Sequence, residues 1–484
     1  MSDKTSHPVL SSPGFRELMD IRKGPALGPD EITVSGADPL YTSPLRIGET
    51  AAMALAARGV AANDLWALRN GQRQTISIDV LAAAATSLYG GDMTQRRDEA
   101  GVYQPIPYSA AIKHMVSLTQ PWKGQDGCWL LPHTNLTHLE DRVLSVIGCQ
   151  SSIDSVRAGV GRWNAEALER AIADAQACAG MVRTPQQWLD HPHGAYLASL
   201  PVVEITKIGD SAPEPMSPAA LPLSGVRVLD LTRILAGPTA GLGMAEHGAD
   251  VLMVTAPHLP QVPSFVRDTS HGKRSCFLDM NKPADAEQLH QLVKDSDVFI
   301  DGYRPHRLQA RGFGAQHLIG LRPGLIHVSV NCYGSGGPFA SRAGWDQVAQ
   351  AVTGICHTQG EALGAGQPKL TPVFMCDFLT GFLASFGAMV ALRRRAQEGG
   401  SYRVQVSLCQ SAMFLQRQGL IEGFEGAPNR LSPEQFERLA VLDDGTVYGD
   451  LKTLGPVLKM SLTPCAWLGT TPALGSSAPE WLPR

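Results

Sequence analysis

From residue 226 onward, apolar runs of strand length alternate with segments of helix length, and this alternation restricts the chain to few architectures. The runs fall at residues 226–231, 251–254, 298–301 and 325–330. Between the first two, Gly237-Pro238 opens a helical segment, with Pro in the first turn where its missing N–H matters least, and Gly248-Ala249-Asp250 closes it. A second helical pattern covers residues 284–294 and feeds the third run. Strands alternating with helices build a mainly parallel, doubly wound α/β sheet. In such sheets ligands bind beyond the carboxyl ends of the strands. The loops after Leu231, Val254, Ile300 and Val330 are therefore where chemistry is expected.

The part before residue 223 has a different texture. Residues 1–40 are rich in Pro, Gly and Ser without a sustained period, and read as a tail or an irregular strap. Residues 47–68 are Ala- and Leu-rich and helical in propensity, end at Asn70-Gly71, and lead into the alternating Ile76-Ser77-Ile78-Asp79-Val80 and another helix. Residues 378–415 repeat that order: an apolar helix, Gly399-Gly400, the alternating Val404-Gln405-Val406-Ser407-Leu408, then a helix. The match reads as a weak internal repeat; a chance pairing within an α/β chain is the plainer alternative. Residues 125–190 look like a separate small α/β unit, with a strand at Trp129-Leu130-Leu131 and an amphipathic helix over 164–176 with Asn164 as N-cap. The Pro-rich stretch 209–222 is the best domain boundary.

Charge and cysteine usage exclude several functions. The formal net charge is −4 and no long basic run occurs, so no nucleic-acid partner is expected. The longest apolar stretch, around Phe378–Leu392, is interrupted by Gly, Thr and Ser and reads as a buried amphipathic helix, so no membrane span is expected. The nine cysteines show no Cys-x-x-Cys pair and no zinc-finger spacing, which fits a reducing cytoplasm and no metal site. The first thirty residues lack the pattern of a signal peptide.

Five segments carry distinctive residues. LSGVRVLDLTRILAGPTAG holds Arg233, Ala236 and Gly237. HGKRSCFLDMNKP holds Lys273, Arg274, Leu278 and Met280. DVFIDGYRPHRLQARGFG holds Tyr303 and Arg304. GSGGPFASRAGWDQVAQAVTG holds Gly334, Gly336, Gly337, Trp345 and Asp346. TPVFMCDFLTGFLASFGAMVAL sets Asp377 between an apolar run and a helix. In this order over residues 221–415, they resemble the class III CoA-transferases, the group of formyl-CoA transferase, carnitine CoA-transferase and α-methylacyl-CoA racemase.

That resemblance implies a Rossmann-like large domain and an enzyme that moves CoA from an acyl-CoA donor to a carboxylic acid acceptor. Asp377 would be the nucleophile, through an aspartyl anhydride and thioester. Coenzyme A and its thioesters would be substrates, with no permanently bound cofactor. Arg233, Lys273, Arg274 and Arg304 would meet the phosphates, with N–H donors from the helix start at Ala236-Gly237 and Tyr303 in the same site. Leu278 and Met280 would flank the adenine. The Gly334, Gly336, Gly337 loop, with Trp345 and Asp346, would face the substrate. The residues alone allow plainer roles: Asp377 as an N-cap, the basic residues as solvated charges, Leu278 and Met280 as an edge strand, the glycines as a surface turn. Cys376 reads as a buried structural thiol.

The chain departs from the family pattern at Thr255-Ala256-Pro257-His258, at His271, and at Gly302-Tyr303-Arg304-Pro305-His306, where the family has Asn-Phe-Arg-Pro-Gly. The racemases place a His before the Asp of the fourth segment; Trp345 stands there, and indole is no general base. A racemase or isomerase, or a non-catalytic CoA-binding relic, are the alternatives. The domain order expected is a strap (1–40), a truncated large-domain-like repeat (41–115), a small α/β domain with a return segment (116–208), the linker (209–222), the Rossmann-like CoA-binding catalytic domain (223–415) and a second return segment (416–484). Small-domain-like sequence thus precedes the large domain, the reverse of the family order. The resemblance also implies a homodimer.

Overall fold

The computed structural model describes residues 7–88 and 93–483. Its centre is a seven-stranded sheet built from β1 (Glu204–Gly209), β2 (Arg227–Leu231), β3 (Asp250–Thr255), β4 (Arg274–Phe277), β5 (Val298–Asp301), β6 (Ile326–Asn331) and β7 (Ser401–Ser407). The spatial order is β4-β3-β2-β5-β6-β7-β1. All neighbours are parallel except β1, which pairs antiparallel with β7. Counted from β2, this is the 3-2-1-4-5-6 order of a doubly wound dinucleotide-type sheet, whose strand order reverses between β2 and β5. The strands are apolar because both faces are covered: Leu229 sits opposite Leu252 on one side and Phe299 on the other, all three fully buried.

Five helices position the site: α1 (Ile47–Asn70), α2 (Ala236–Ala245), α3 (Asp346–Thr353), α4 (Met375–Glu398) and α5 (Leu408–Arg417). Helix α4 is the one helix among the described residues long and apolar enough to cross a membrane, and its apolar window is entirely buried inside the protein. It is not amphipathic, as the sequence suggested, because α1, α2 and β7 enclose it. Gly381 explains how closely α2 lies on it: a Cβ at this position would sit 2.5 Å from Thr239 Cβ and 2.7 Å from the Ala236 carbonyl. Any side chain here would force the two helices apart, at a cost of about 1–3 kcal/mol.

The N-terminal region is more ordered than its composition implies. Residues 7–40 contain a helix at Pro13–Arg22, with Phe15 and Leu18 buried, and a strand at Ile32–Ser35; residues 1–6 of the expected strap lie outside the described residues. Two bonds from Arg393 on α4, to the Arg22 and Lys23 carbonyls, hold that helix in place. The helix–glycine–strand–helix order is present both at α1, Gly71, Ile76–Asp79 and Val80–Ala85 and at α4, Gly399, β7 and α5, and α1 packs along α4. The linker is strapped down: Arg69 at the end of α1 donates to the Ser217, Pro222 and Ser224 carbonyls, and Glu214 pairs with Arg322 at 2.7 Å.

The small unit has its own core around Trp122, Leu130, Val143, Leu168 and Ile172, beneath an antiparallel sheet of Trp122–Lys123, Trp129–Pro132 and Ala179–Met181. Its amphipathic helix runs Ala165–Asp174, and Asn164 does not cap it with its side chain. That side chain accepts from Gln125 instead, and Asp126 takes the Ala165 N–H at 3.0 Å. Near the C-terminus the hairpin Ala440–Thr446 and Gly449–Leu454 pairs with Thr94–Arg97, and Lys459–Met460 pairs with Ile76–Asp79, so the second return segment packs on the first repeat.

Candidate active site

A cavity of about 500 Å³ opens at the carboxyl ends of the strands around the β2/β5 switch point. The loop leaving β2 contributes Thr232, Arg233 and the start of α2 at Ala236-Gly237, and the loop leaving β5 contributes Gly302, Tyr303 and Arg304. Both loops carry a non-glycine residue in the left-handed region, Ile234 (φ 77°) and His306 (φ 68°). For a β-branched residue that conformation is strained, and such strain persists only where the surroundings impose it. His306 stands where the family pattern has glycine, so the backbone requirement survives although the residue differs. Gly237 lies so near Thr232 that a Cβ would sit 2.4 Å from its side chain.

Asp377 lines the far wall of this cavity. It is the third residue of α4, not the residue before it, so it is no N-cap; Phe374 holds that position without a side-chain bond. Beside it lies Asp346, the first residue of α3, 1 % exposed. Asp346 Oδ2 accepts the Asp377 N–H at 3.1 Å, and Oδ1 accepts Gln350 Nε2 at 2.5 Å. The same Gln350 is fixed by Thr371 N, which donates to its oxygen at 2.9 Å. Burial raises the pKa of both carboxyls, and for Asp377 the Asp346 charge adds to the rise. Two acids this close titrate as a pair, and the second proton to leave is held tightly. Cys376 is buried close to both, with its thiol pushed far up by burial and by the two acids, so it is no thiolate nucleophile.

The mouth of the cavity is rimmed by arginines. Arg233, Arg304, Arg307 and Arg311 line it, and Arg142 of the small unit stands close enough that, with Arg233 and Arg304, it lowers the pKa of His138, after burial. The bonds of these arginines go to neutral acceptors. Arg233 donates to the Pro260 carbonyl at 2.9 Å, and Arg304, Arg307 and Arg142 converge on Gln176, whose left-handed backbone turns its carbonyl and amide oxygen toward them. Guanidinium groups that, among the described residues, bond amide and carbonyl oxygens, as those of Arg233, Arg304, Arg307 and Arg142 do, suit a polyphosphate, which offers bidentate oxygens and negative charge.

The structure sorts the expected site residues. Arg233, Ala236, Gly237, Leu278, Met280, Tyr303, Arg304, Trp345 and Asp377 all line the cavity, and Asp346 lies directly behind it. Lys273 does not: its ammonium is fully buried, 3.0 Å from Asp230 and 2.7 Å from the Pro238 carbonyl, where it ties β2 to α2. Arg274 is also turned away, in a two-pronged pair with Asp250 at the start of β3 (3.0 and 2.9 Å) and a bond to the Glu480 carbonyl. These two basic residues act within the fold and leave no charge free for a phosphate. The Gly334, Gly336 and Gly337 loop packs on the helix Pro192–Ala198, where Cβ atoms at the last two would strike Tyr196 and His193. It is a tight turn away from the cavity. Trp345 stacks on His133 of the small unit at 4.3 Å, and burial lowers that histidine's pKa to about 3, so it stays neutral. The sequence reading missed Arg307, Arg311 and His138; the spacing of Arg304, Arg307 and Arg311 was the signal for the first two.

Fold and site together define a doubly wound α/β protein with a coupled acid pair and a cationic mouth at its switch point. The family model described as CoA-transferase family III matches residues 223–440, which carry β2 to β7, the acid pair and most of the cavity. Among curated relatives, the acetyl-coenzyme A transferase nodX of Hypoxylon pulicicidum is 32% identical over 269 residues, 53% of this chain and 45% of the relative. Succinyl-CoA:glutarate CoA-transferase of Homo sapiens is 33% identical over 202 residues, 39% of this chain and 46% of the relative. The chain thus spans about half the length of these relatives. A solved structure of a hypothetical protein from Mycobacterium tuberculosis is 31% identical over 41% of this chain and 58% of its own, with a TM-score of 0.38.

Proposed function

We propose that this chain is a CoA-transferase in which Asp377 carries the acyl and CoA groups in turn. The observation that carries this reading is the placement of Asp377: a carboxylate buried against a second acid, at the inner wall of a cavity with an arginine mouth. A CoA thioester has the matching polarity, with phosphates at one end and a reactive carbonyl at the other. An Asp377 oxygen attacks that carbonyl, the C–S bond breaks, and the CoA thiolate leaves a mixed anhydride. The thiolate then attacks the aspartyl carbon of the anhydride, releasing the donor acid and forming an aspartyl-CoA thioester. The acceptor carboxylate attacks this thioester, and the thiolate released attacks the acceptor's carbonyl, giving the new acyl-CoA and free Asp377. No net proton or water is consumed.

The raised pKa fits this role. Ionised Asp377 is disfavoured by burial and by Asp346, and acylation removes its charge, so part of the repulsion is relieved as the first bond forms. The test is intact-protein mass spectrometry after incubation with acetyl-, succinyl- and butyryl-CoA. The expected result is a gain equal to CoA less water on the wild type, absent from Asp377→Ala and removed by hydroxylamine. CoA binding without an adduct from any donor would sink the covalent route.

A further inference from the structure

One histidine stands among the arginines of the cavity mouth and takes no part in the transfer chemistry. His138 lies in the first turn of the helix Thr137–Ile147 of the small unit and lines the large cavity between Leu136 and Leu139. It is exposed there, and no hydrogen bond holds its ring among the described residues. The charges that act on it come from three elements: Arg142 and Asp141 on its own helix, Arg233 in the loop after β2, and Arg304 in the loop after β5. Burial and then the three arginines push its pKa below the usual histidine value, and Asp141 opposes them. The helix also opens at Leu136 without a side-chain cap, which leaves N–H groups and the positive end of the helix dipole beside the ring.

A neutral imidazole suits such a mouth while it is empty. A further cation among these guanidinium groups would be repelled, and the neutral ring is not. An entering polyphosphate reverses the balance. Its negative charge favours the protonated ring, and an imidazolium can donate a charge-assisted hydrogen bond to a phosphate oxygen. Arg142 and His138 belong to the small unit, whereas Arg233 and Arg304 follow strands of the large sheet, so a ligand that meets all four bridges the two units.

We propose that His138 is a ligand of the bound polyphosphate and takes one proton from solvent as the polyphosphate enters. Binding is then tighter at low pH. The imidazolium is the form that binds, so affinity falls as pH rises through the pKa of the complex, and levels off below the lower pKa of the free protein. The inference deepens the transferase reading and rests on it for coenzyme A as the ligand; the cluster of charges around His138 does not.

The test is calorimetry on the full chain with two diphosphate diesters, dephospho-CoA and ADP-ribose. Neither carries a phosphomonoester, whose own titration at about pH 6 would mask that of a protein group. Heats measured at pH 7 in buffers of different ionisation enthalpy count the protons taken up. The expected result is uptake of roughly half a proton or more per dephospho-CoA bound, and affinity about fivefold tighter at pH 6 than at pH 8. His138→Gln, which keeps a polar side chain and does not titrate, is expected to abolish the uptake, to flatten the pH dependence, and to bind within about twofold of wild type at pH 8. A side chain that only supported the fold would cost affinity equally at both pH values, and that result would overturn the proposal. So would uptake that persists in His138→Gln, which would place the proton on His258 of the cavity wall or on Asp301, whose pKa burial raises to about 7. If ADP-ribose binds with uptake and dephospho-CoA does not bind, the transferase reading falls and the role of His138 stands; if neither binds, both fall.

Discussion

The starts of α1 and α4 are near-copies with opposite outcomes. Both helices have 24 residues, both end at a glycine followed by a strand and a further helix, and each carries an acid as its third residue, Glu49 and Asp377. Each also receives an aspartate from elsewhere in the chain. Asp38 accepts the N–H groups of Gly48 and Glu49 at 3.0 and 2.9 Å, as Asp346 accepts that of Asp377 at 3.1 Å. The difference is the environment of the third-position acid. Glu49 is paired with Arg46 at 2.9 Å, whereas Asp377 faces a second buried acid and lines the large cavity. One backbone arrangement thus gives a neutralised ion pair in one place and an acid held above its ordinary pKa in the other. What separates them is a single cation and access to a cavity, more than the geometry of the helix start.

Neutralising each acid in turn separates the two helix starts most widely. Asp377→Asn is expected to lower transfer by a thousandfold or more, as loss of a covalent nucleophile does, while Glu49→Gln changes it less than twofold. Steady-state rates with one donor–acceptor pair check both. Comparable losses from the two substitutions would mean that α1 takes part in catalysis and that the resemblance is functional. Asp346→Asn sharpens the point further. It removes the like charge beside Asp377 and keeps an acceptor oxygen, so the acid limb of the kcat/KM profile is expected to move to lower pH. An unmoved limb would mean that Asp346 does not set the ionisation of the nucleophile.

The two ends of the large cavity were unequally legible in the sequence. The strand-end loops could be found because turns after strands follow from local pattern; Asp377 could be found only through the family resemblance, since an acid at the opening of a long apolar helix reads equally as an N-cap. Of the charges at the cavity mouth, Arg233 and Arg304 were legible while Arg307, Arg311 and Arg142 were not, because a basic residue's role depends on whether an acid meets it in three dimensions. Lys273 and Arg274 looked like anion ligands in a one-dimensional motif, yet Asp230 and Asp250, on neighbouring strands, already occupy them. Arg142 sits on another unit altogether and has no local signal. The ordered strap at residues 13–22 was hidden in the same way, since its anchor is Arg393, far along the chain. This contrast predicts that Arg304→Gln with Arg307→Gln weakens CoA binding roughly ten- to a hundredfold and flattens its salt dependence. Arg274→Gln is expected to leave CoA affinity within twofold and to lower stability instead. Calorimetry at two salt concentrations and urea denaturation separate the two effects, and a loss of CoA affinity in Arg274→Gln would return that residue to the site.

The smallest expected effect tests whether the two helix starts share their electrostatics as well as their geometry. Burial raises the Asp38 pKa to about 6, with the neighbouring Glu49 charge adding to the rise against the backbone N–H bonds that oppose it. The folded state therefore holds this proton more tightly than the unfolded chain does. Where both states are protonated, near pH 4 and below, the group contributes its full stabilisation. As pH rises from about 4 to about 6 the unfolded chain ionises first, and that stabilisation is lost, roughly 3 kcal/mol at most. Asp38→Asn keeps an acceptor oxygen for the helix N–H groups and removes this titration. Relative to wild type, the variant is expected to gain stability across that window and then to level off. The Asp377/Asp346 pair has raised pKa values of the same sign, so Asp377→Asn is expected to gain stability with rising pH as well. Urea denaturation at pH 4, 6 and 8 reads both trends. A pH-independent difference for Asp38→Asn would show that its carboxylate stays ionised beside the N–H groups of α1, leaving the strained acid as a property of the Asp377 end alone.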